Sequence, residues 1–237
     1  GYSHLLGLVG MTTLRAVLLA GGQSSRMGMR KELLRLPSDE PVFIQKISLI
    51  HEAVPESDRV YLSLRNRAAL QELLEFNEVQ KLPEDRLVLK SCSGPLHVQV
   101  LYDHDDAKFP EHDDIGPASG LLRAQQQDPT CNWLIVACDY PLLTADALRK
   151  LREGPAGVVT CFHNEEGYSE PLLAIWTPEA LSALGRNVRQ GILGPSSVIR
   201  QLNSTLVAPE SNEWLMNVNT REDWDRIVTI KTKQIDM

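Results

Sequence analysis

The chain has 237 residues, 43% hydrophobic and 23% charged, with 15 Gly and 14 Pro. This usage excludes a disordered or fibrous protein, and the length suffices to bury a substantial core without covalent staples. With 24 Lys+Arg against 31 Asp+Glu the formal net charge is -7, which excludes general binding to nucleic acid or acidic membranes but not a small phosphorylated ligand held by local groups.

Four cysteines, Cys92, Cys131, Cys138 and Cys161, form no CxxC pair, so they are expected as free thiols in a reducing cytoplasm. No apolar run approaches the ~20 residues of a membrane span. The segment before Met11 lacks the basic flank and long apolar stretch of a signal peptide. Residues 1–10 are therefore expected as a remnant or leader, and residues 11–237 as a single domain.

In chain order, Leu14 to Ala20 is a short apolar run stopped by Gly21-Gly22, the pattern of a buried parallel strand. Val42, Ile44, Ile47, Leu49 and Ile50 suit a helix with one apolar face. Val60 to Leu64 reads as a second strand and Arg67 to Phe76 as a second helix. The stretch from Asn77 to Pro95 fits either an inserted hairpin or a loop with a short helix, and it could contact another protein. A third strand, Val98 to Tyr102, precedes a polar segment running to Asp114. Gly116-Pro117-Ala118-Ser119-Gly120 opens a helix whose small residues let a partner approach the backbone.

Trp133 to Cys138 is the strongest central strand, followed by Asp139-Tyr140-Pro141 and a helix from Ala145 to Leu151 capped by Thr144. Gly157 to Phe162 and Pro171 to Trp176 are two further strands, and Thr177-Pro178-Glu179 starts another helix. Alternating strands and helices predict a three-layer α/β/α fold with a Rossmann-like, mainly parallel sheet.

The chemistry concentrates in Leu19-Ala20-Gly21-Gly22-Gln23-Ser24-Ser25-Arg26-Met27-Gly28, followed by Lys31. Glycines after a buried strand let backbone N–H groups face a phosphate, Ser24 and Ser25 add donors, and Arg26 and Lys31 bring two cations within reach of one triphosphate. The spacing matches neither the P-loop nor the GxGxxG fingerprint. Asp139 ends the central strand, where ligands bind in open α/β sheets, and is the first candidate for a metal ligand. Its alternative is a turn aspartate ahead of Pro141.

The ordered set GG-x-S-x-R-M-G-x-x-K resembles the signature of the sugar-nucleotide and molybdenum-cofactor nucleotidyltransferases. The chain is most similar to the MobA group, the molybdenum cofactor guanylyltransferases: Gly116 to Gly120 resembles its GPLAG segment, Cys138-Asp139-Tyr140-Pro141 its CDxP segment, and Asn217-Val218-Asn219-Thr220 its NVNT segment. The related cytidylyltransferases usually carry an acidic DxDT there, which favours guanine.

The resemblance implies transfer of GMP from GTP to a phosphorylated pterin with release of pyrophosphate. It implies Mg2+ held by Asp139 and Asn219, with Asn217 near, and Arg26, Lys31 and Asp139 as catalytic residues. Leu19, Ala20, Gly21, Gly22, Ser24, Ser25, Lys31, Ser63, Asp103, Gly116 and Gly120 would hold the nucleotide. Asn217 and Asn219 read equally as loop residues beside a capping box at Thr220-Arg221-Glu222-Asp223.

Two departures bear on specificity. Ser63 stands where the bacterial group commonly has asparagine. Glu170, in Tyr168-Ser169-Glu170-Pro171, stands where the family often has His-Pro or Gln-Pro. They keep open CTP or another NTP with a different phosphorylated acceptor. A non-catalytic nucleotide-binding domain is the alternative of another class. Arg186, Arg189 and Arg200 read either as acceptor-phosphate ligands or as solvated helix charges, and a cofactor-delivery or acceptor protein would be a natural partner.

Overall fold

The computed structural model describes residues 12–22, 30–103 and 115–237. Its described strands are β1 (Leu14–Leu19), β2 (Val60–Leu64), β3 (Val79–Leu82), β4 (Arg86–Ser91), β5 (Gly94–Tyr102), β6 (Asn132–Ala137), β7 (Val159–His163), β8 (Ser169–Trp176) and β9 (Thr205–Val207). They form one sheet in the order β3-β4-β5-β2-β1-β6-β8-β7-β9. The centre, β5-β2-β1-β6, is parallel throughout. Antiparallel pairings extend it on both sides, β3-β4-β5 at one flank and β6-β8-β7 at the other, and β9 adds a parallel edge.

The helices are α1 (Val42–Ala53), α2 (Arg67–Leu74), α3 (Ala118–Gln127), α4 (Ala145–Glu153), α5 (Pro178–Arg189), α6 (Ser196–Gln201) and α7 (Arg221–Ile235). Successive strand residues feed opposite faces of the sheet. Ala16 and Leu18 of β1, with Leu62, Val100, Leu134 and Val136, pack against α1, α2 and α4. Val17, Tyr61, Leu101, Trp133 and Ile135 pack against α3, α5 and α6. The central strands are buried on both faces, so they read as unbroken apolar runs rather than alternating ones. Each fully buried Leu or Ile is worth about 1.5–3 kcal/mol relative to exposure, so this double burial fixes the strand ends from which the site is built.

Local chemistry sets the helix starts. Thr144 and Thr177 accept hydrogen bonds from the backbone N–H groups of Ala147 at 3.2 Å and Ala180 at 3.3 Å, with Pro178 opening α5. At Thr220 the capping box is complete, with the Asp223 carboxylate accepting from the Asn219 and Thr220 N–H groups, each at 3.0 Å. Behind it Val218, Trp224 and Ile227 pack with Leu36, Val42 and Leu142, docking α7 against α1 and the loop after β6.

The 77–95 segment is a hairpin, the first of the two expected forms. Its turn is Pro83-Glu84-Asp85, with Glu84 and Asp85 both in the left-handed region at φ 64 and 56. The third strand starts at Gly94, four residues earlier than its apolar pattern, because pairing with β4 carries it outward. The four cysteines are free, with Cys92 exposed and the other three buried. Among the described residues no helix is long and apolar enough to cross a membrane.

Candidate active site

The order β5-β2-β1-β6 reverses direction at β1, since the chain moves outward through β2 to β5 and then returns to β6 on the other side. Ligands in such sheets bind beyond the carboxyl ends of the strands at that reversal. Gly21 and Gly22 lie past the end of β1, Asp103 past β5 and Asp139 past β6, so all face this edge.

On the β2 and β5 side, six of the expected nucleotide residues converge: Leu19, Ala20, Gly21, Ser63, Asp103 and Gly120. The buried Ser63 hydroxyl donates a short hydrogen bond to Asp103 Oδ1, and the Asp103 N–H donates to the Leu64 carbonyl at 2.8 Å. A Cβ placed on Gly21 would overlap Asp103 Oδ2, so only glycine admits the carboxylate here. A Cβ on Gly120 would come within 2.8 Å of Leu19 Cδ2 and 3.3 Å of Ser63 Oγ, and its absence brings the start of α3 against the strand ends. The Ala20 N–H donates to the Ser63 carbonyl at 2.9 Å, which ties the two strand ends together. Gly116 adopts φ +67, a left-handed turn ahead of α3. Space around the Cβ position of Gly22 is open.

On the β6 side the Lys31 ammonium donates to Asp139 Oδ1 at 2.8 Å, with the lysine side chain largely buried and the carboxylate 47% exposed. Among the described residues the side-chain partner of Asp139 is Lys31, on Oδ1. Ser24, Ser25 and Arg26 lie outside the described residues, as does Gly28. Asn219 is exposed, and its backbone is engaged in the α7 cap. Its neighbour Val218 packs with Leu142, three residues beyond Asp139, so NVNT is anchored to the same loop region. Arg200 bonds Ser196 and Ser197 on its own helix.

Three features were not singled out from sequence. Arg30 Nε pairs with Glu32 Oε1 at 2.6 Å and Arg30 Nη1 with Glu72 at 3.2 Å, while Nη2 lies 3.5 Å from the Ala20 carbonyl. Residue 30 thus braces the far end of the glycine segment to the strand that begins it. Burial raises the pKa of Glu32, and the Arg30 charge opposes that rise. The Tyr140 hydroxyl donates to Glu170 Oε2 at 2.6 Å, linking the residue after Asp139 to the start of β8. Lys46 on α1 is fully buried, its ammonium donating to Gln45 Oε1 at 3.1 Å. Burial, then the charge of Lys231 on α7, lowers its pKa to about 7.

The model of the MobA-like NTP transferase domain matches residues 16–206. The chain belongs to the MobA-like NTP transferase family. It is a nucleotidyltransferase. A "Molybdenum cofactor biosynthesis bifunctional protein" of Synechocystis is 26% identical over 92% of the chain, which spans 55% of that relative's length. A "Probable molybdenum cofactor guanylyltransferase" of Synechococcus elongatus is 28% identical over 90% of the chain and 96% of its own length. The fold is shared with the crystal structure of "Molybdopterin-guanine dinucleotide biosynthesis protein A" from Archaeoglobus fulgidus. That match has a TM-score of 0.64 at 18% identity and covers 92% of this chain and 99% of that one. A nucleotidyl transferase from Methanothermobacter gives the same TM-score and identity over 95% of the chain and 100% of its own. These transferases confirm the three-layer fold class.

Proposed function

We propose that this transferase moves GMP from GTP to a molybdopterin-type cofactor, with magnesium, and releases pyrophosphate. The observation that carries the reading is the Lys31–Asp139 pair at the reversal of strand order, flanked by the glycine-lined Ser63–Asp103 cluster. The names of the Synechococcus and Archaeoglobus proteins supply the choice of nucleotide and acceptor.

An acceptor phosphate oxygen attacks the α-phosphorus in line, and the bond to the bridging oxygen of the β-phosphate breaks, with pyrophosphate taking the electron pair. The attacking phosphate is already ionised near neutral pH, so no general base is needed. Lys31 leaves Asp139 for the α-phosphate and offsets its growing charge, while Arg26 holds the departing pyrophosphate and Ser24 and Ser25 bind the triphosphate. The Asp103 carboxylate, oriented by Ser63, accepts from guanine N1–H and N2–H or from the ribose. The backbone around Leu19, Ala20, Gly21 and Gly22, with Gly116 and Gly120 at the start of α3, lines the nucleotide.

The donor set fits magnesium. Among the described residues no group of three or more His, Cys, Asp or Glu could cage a metal ion, whereas magnesium needs only one or two carboxylates beside phosphates and water. Asp139 Oδ2 and the Asn219 amide oxygen would hold it. Bound there, the ion would neutralise phosphate charge and align the reacting groups.

The test is a panel of radiolabelled NTPs with purified protein, magnesium and molybdopterin, reading pyrophosphate release. GTP-dependent release is expected. Release with CTP alone selects the cytidylyl reading, and no release or binding with any NTP overturns the transferase chemistry proposed.

A further inference from the structure

Glu170 is out of place beside a phosphorylated acceptor unless it has a task of its own. The cluster of Ser63, Asp103 and Gly120 takes the β2 and β5 side of the edge, and Lys31 with Asp139 takes the β6 side. The remaining flank lies toward β8, and a second substrate approaching Asp139 from opposite the nucleotide must enter there. Glu170 lies on that flank: the β6–β8 register, continued beyond Val136 and Leu173, sets residue 170 opposite residue 139.

The carboxylate is half-buried, and among the described residues its side-chain partner is one phenol, Tyr140 on Oε2, with no Lys, Arg or His within ion-pairing distance. A carboxylate withdrawn from water without a cation is costly, yet it offers about four acceptor sites of which Tyr140 fills one. Burial raises its pKa, as expected of an incompletely compensated group. Tyr168 is 67% exposed and stands two residues earlier, immediately before β8. Its N–H donates to Asn164 Oδ1 at 3.0 Å and its carbonyl accepts from the Asn164 N–H at 2.9 Å, so its backbone is fixed.

The geometry points to Glu170 as the residue that selects the acceptor, its carboxylate accepting the adjacent ring N–H and amino donors of a 2-amino-4-oxopyrimidine, with the Tyr168 ring as the stacking face. Tyr140 is a positioning residue that aims the carboxylate. The assignment rests on the pterin acceptor proposed above, and it explains why an acidic residue stands here: it reads the neutral ring, while cations elsewhere hold the phosphate. A charge-assisted pair of this kind gives at least a tenfold preference.

The test uses the full chain without GTP and two fluorescent probes, 6-hydroxymethylpterin and its N3-methyl derivative, which lacks the ring donor. The wild-type protein should bind the first at least tenfold more tightly. In Glu170→Gln both should bind with the same weak affinity, while the Kd for GTP and the melting temperature stay as in wild type. Tyr140→Phe should narrow the preference without abolishing it. A preference retained in Glu170→Gln, or none in the wild type, overturns the assignment. Failure to bind GTP would instead overturn the nucleotide reading, leaving the pterin comparison to decide Glu170 alone.

Discussion

Gly21 and Ser63 both act through Asp103, one by leaving space for its carboxylate and the other by orienting it. Gly21→Ala should displace that carboxylate and raise the Kd for GTP at least tenfold by calorimetry, with the circular dichroism spectrum unchanged. At Asp139 the exposed carboxylate has little structural work beyond Lys31. Asp139→Asn should therefore lower turnover by more than about a hundredfold at constant melting temperature, as loss of a group acting on transition-state charge does. An unaltered rate would remove Asp139 from the centre. The positions of Gly21 and Asp139 at strand ends were legible because each directly follows an unbroken apolar run, although a turn would use the same residue types. Lys46, Glu32 and the Tyr140–Glu170 bond were not, since a charge in a helix or strand pattern reads as solvated until packing is seen. Lys46 carries its own prediction. Between pH 7 and its ordinary 10.5 the unfolded chain holds a proton that the folded chain has lost, so this group makes stability rise with pH across that window. Its penalty is complete below about 7. Lys46→Met removes the penalty and the facing charge of Lys231 loses its neighbour. The variant should melt above wild type at pH 7, with the gap closing toward pH 10.

At the scale of elements, the parallel centre and its helices were readable because doubly buried strands and one-faced helices have distinct apolar periods. The hairpin of β3 and β4 was ambiguous for a specific reason. Its turn lacks the Asn-Gly or Asp-Gly signal and instead holds Glu84 and Asp85 in left-handed backbone, where the Asp85 carboxylate is engaged by Arg67 at 3.2 Å and the Tyr102 hydroxyl at 3.3 Å. Tertiary contacts that sequence does not display supply what the turn residues lack. At three and six residues, β9 and α6 are too short to show a period at all. The hairpin is nonetheless part of the core, with Leu87 and Leu89 fully buried among the side chains under α1. Leu89→Ala should cost about 2–5 kcal/mol by urea unfolding, the range for a buried leucine. A cost below about 1 kcal/mol would mark the hairpin as an appendage.

For the whole molecule, the net charge of -7 and the proposed binding of a polyanion are reconciled by where the cations lie. Arg26 and Lys31 belong to one short segment, and Arg30 between them is spent on Glu32 and Glu72, so the attraction is local and long-range steering is weak. Affinity for GTP should therefore depend on magnesium and on the shape of the Ser63–Asp103 cluster more than on ionic strength. Because one sheet joins the nucleotide cluster, the Lys31–Asp139 pair and the Glu170 flank, ligand bound at any of them should stabilise a single cooperative unit. At 100 times its Kd a ligand adds about 2.7 kcal/mol, which for a chain of this size is a rise of about 5–10 °C in melting temperature. Scanning calorimetry should show one transition, moved by that amount with GTP and magnesium and by much less with CTP at the same concentration. Equal shifts would mean that Asp103 reads the ribose rather than the base. Two transitions, with only one moved by nucleotide, would mean that the β6-β8-β7 flank melts apart from the parallel centre, and the two substrates would then be held by separable parts of the sheet.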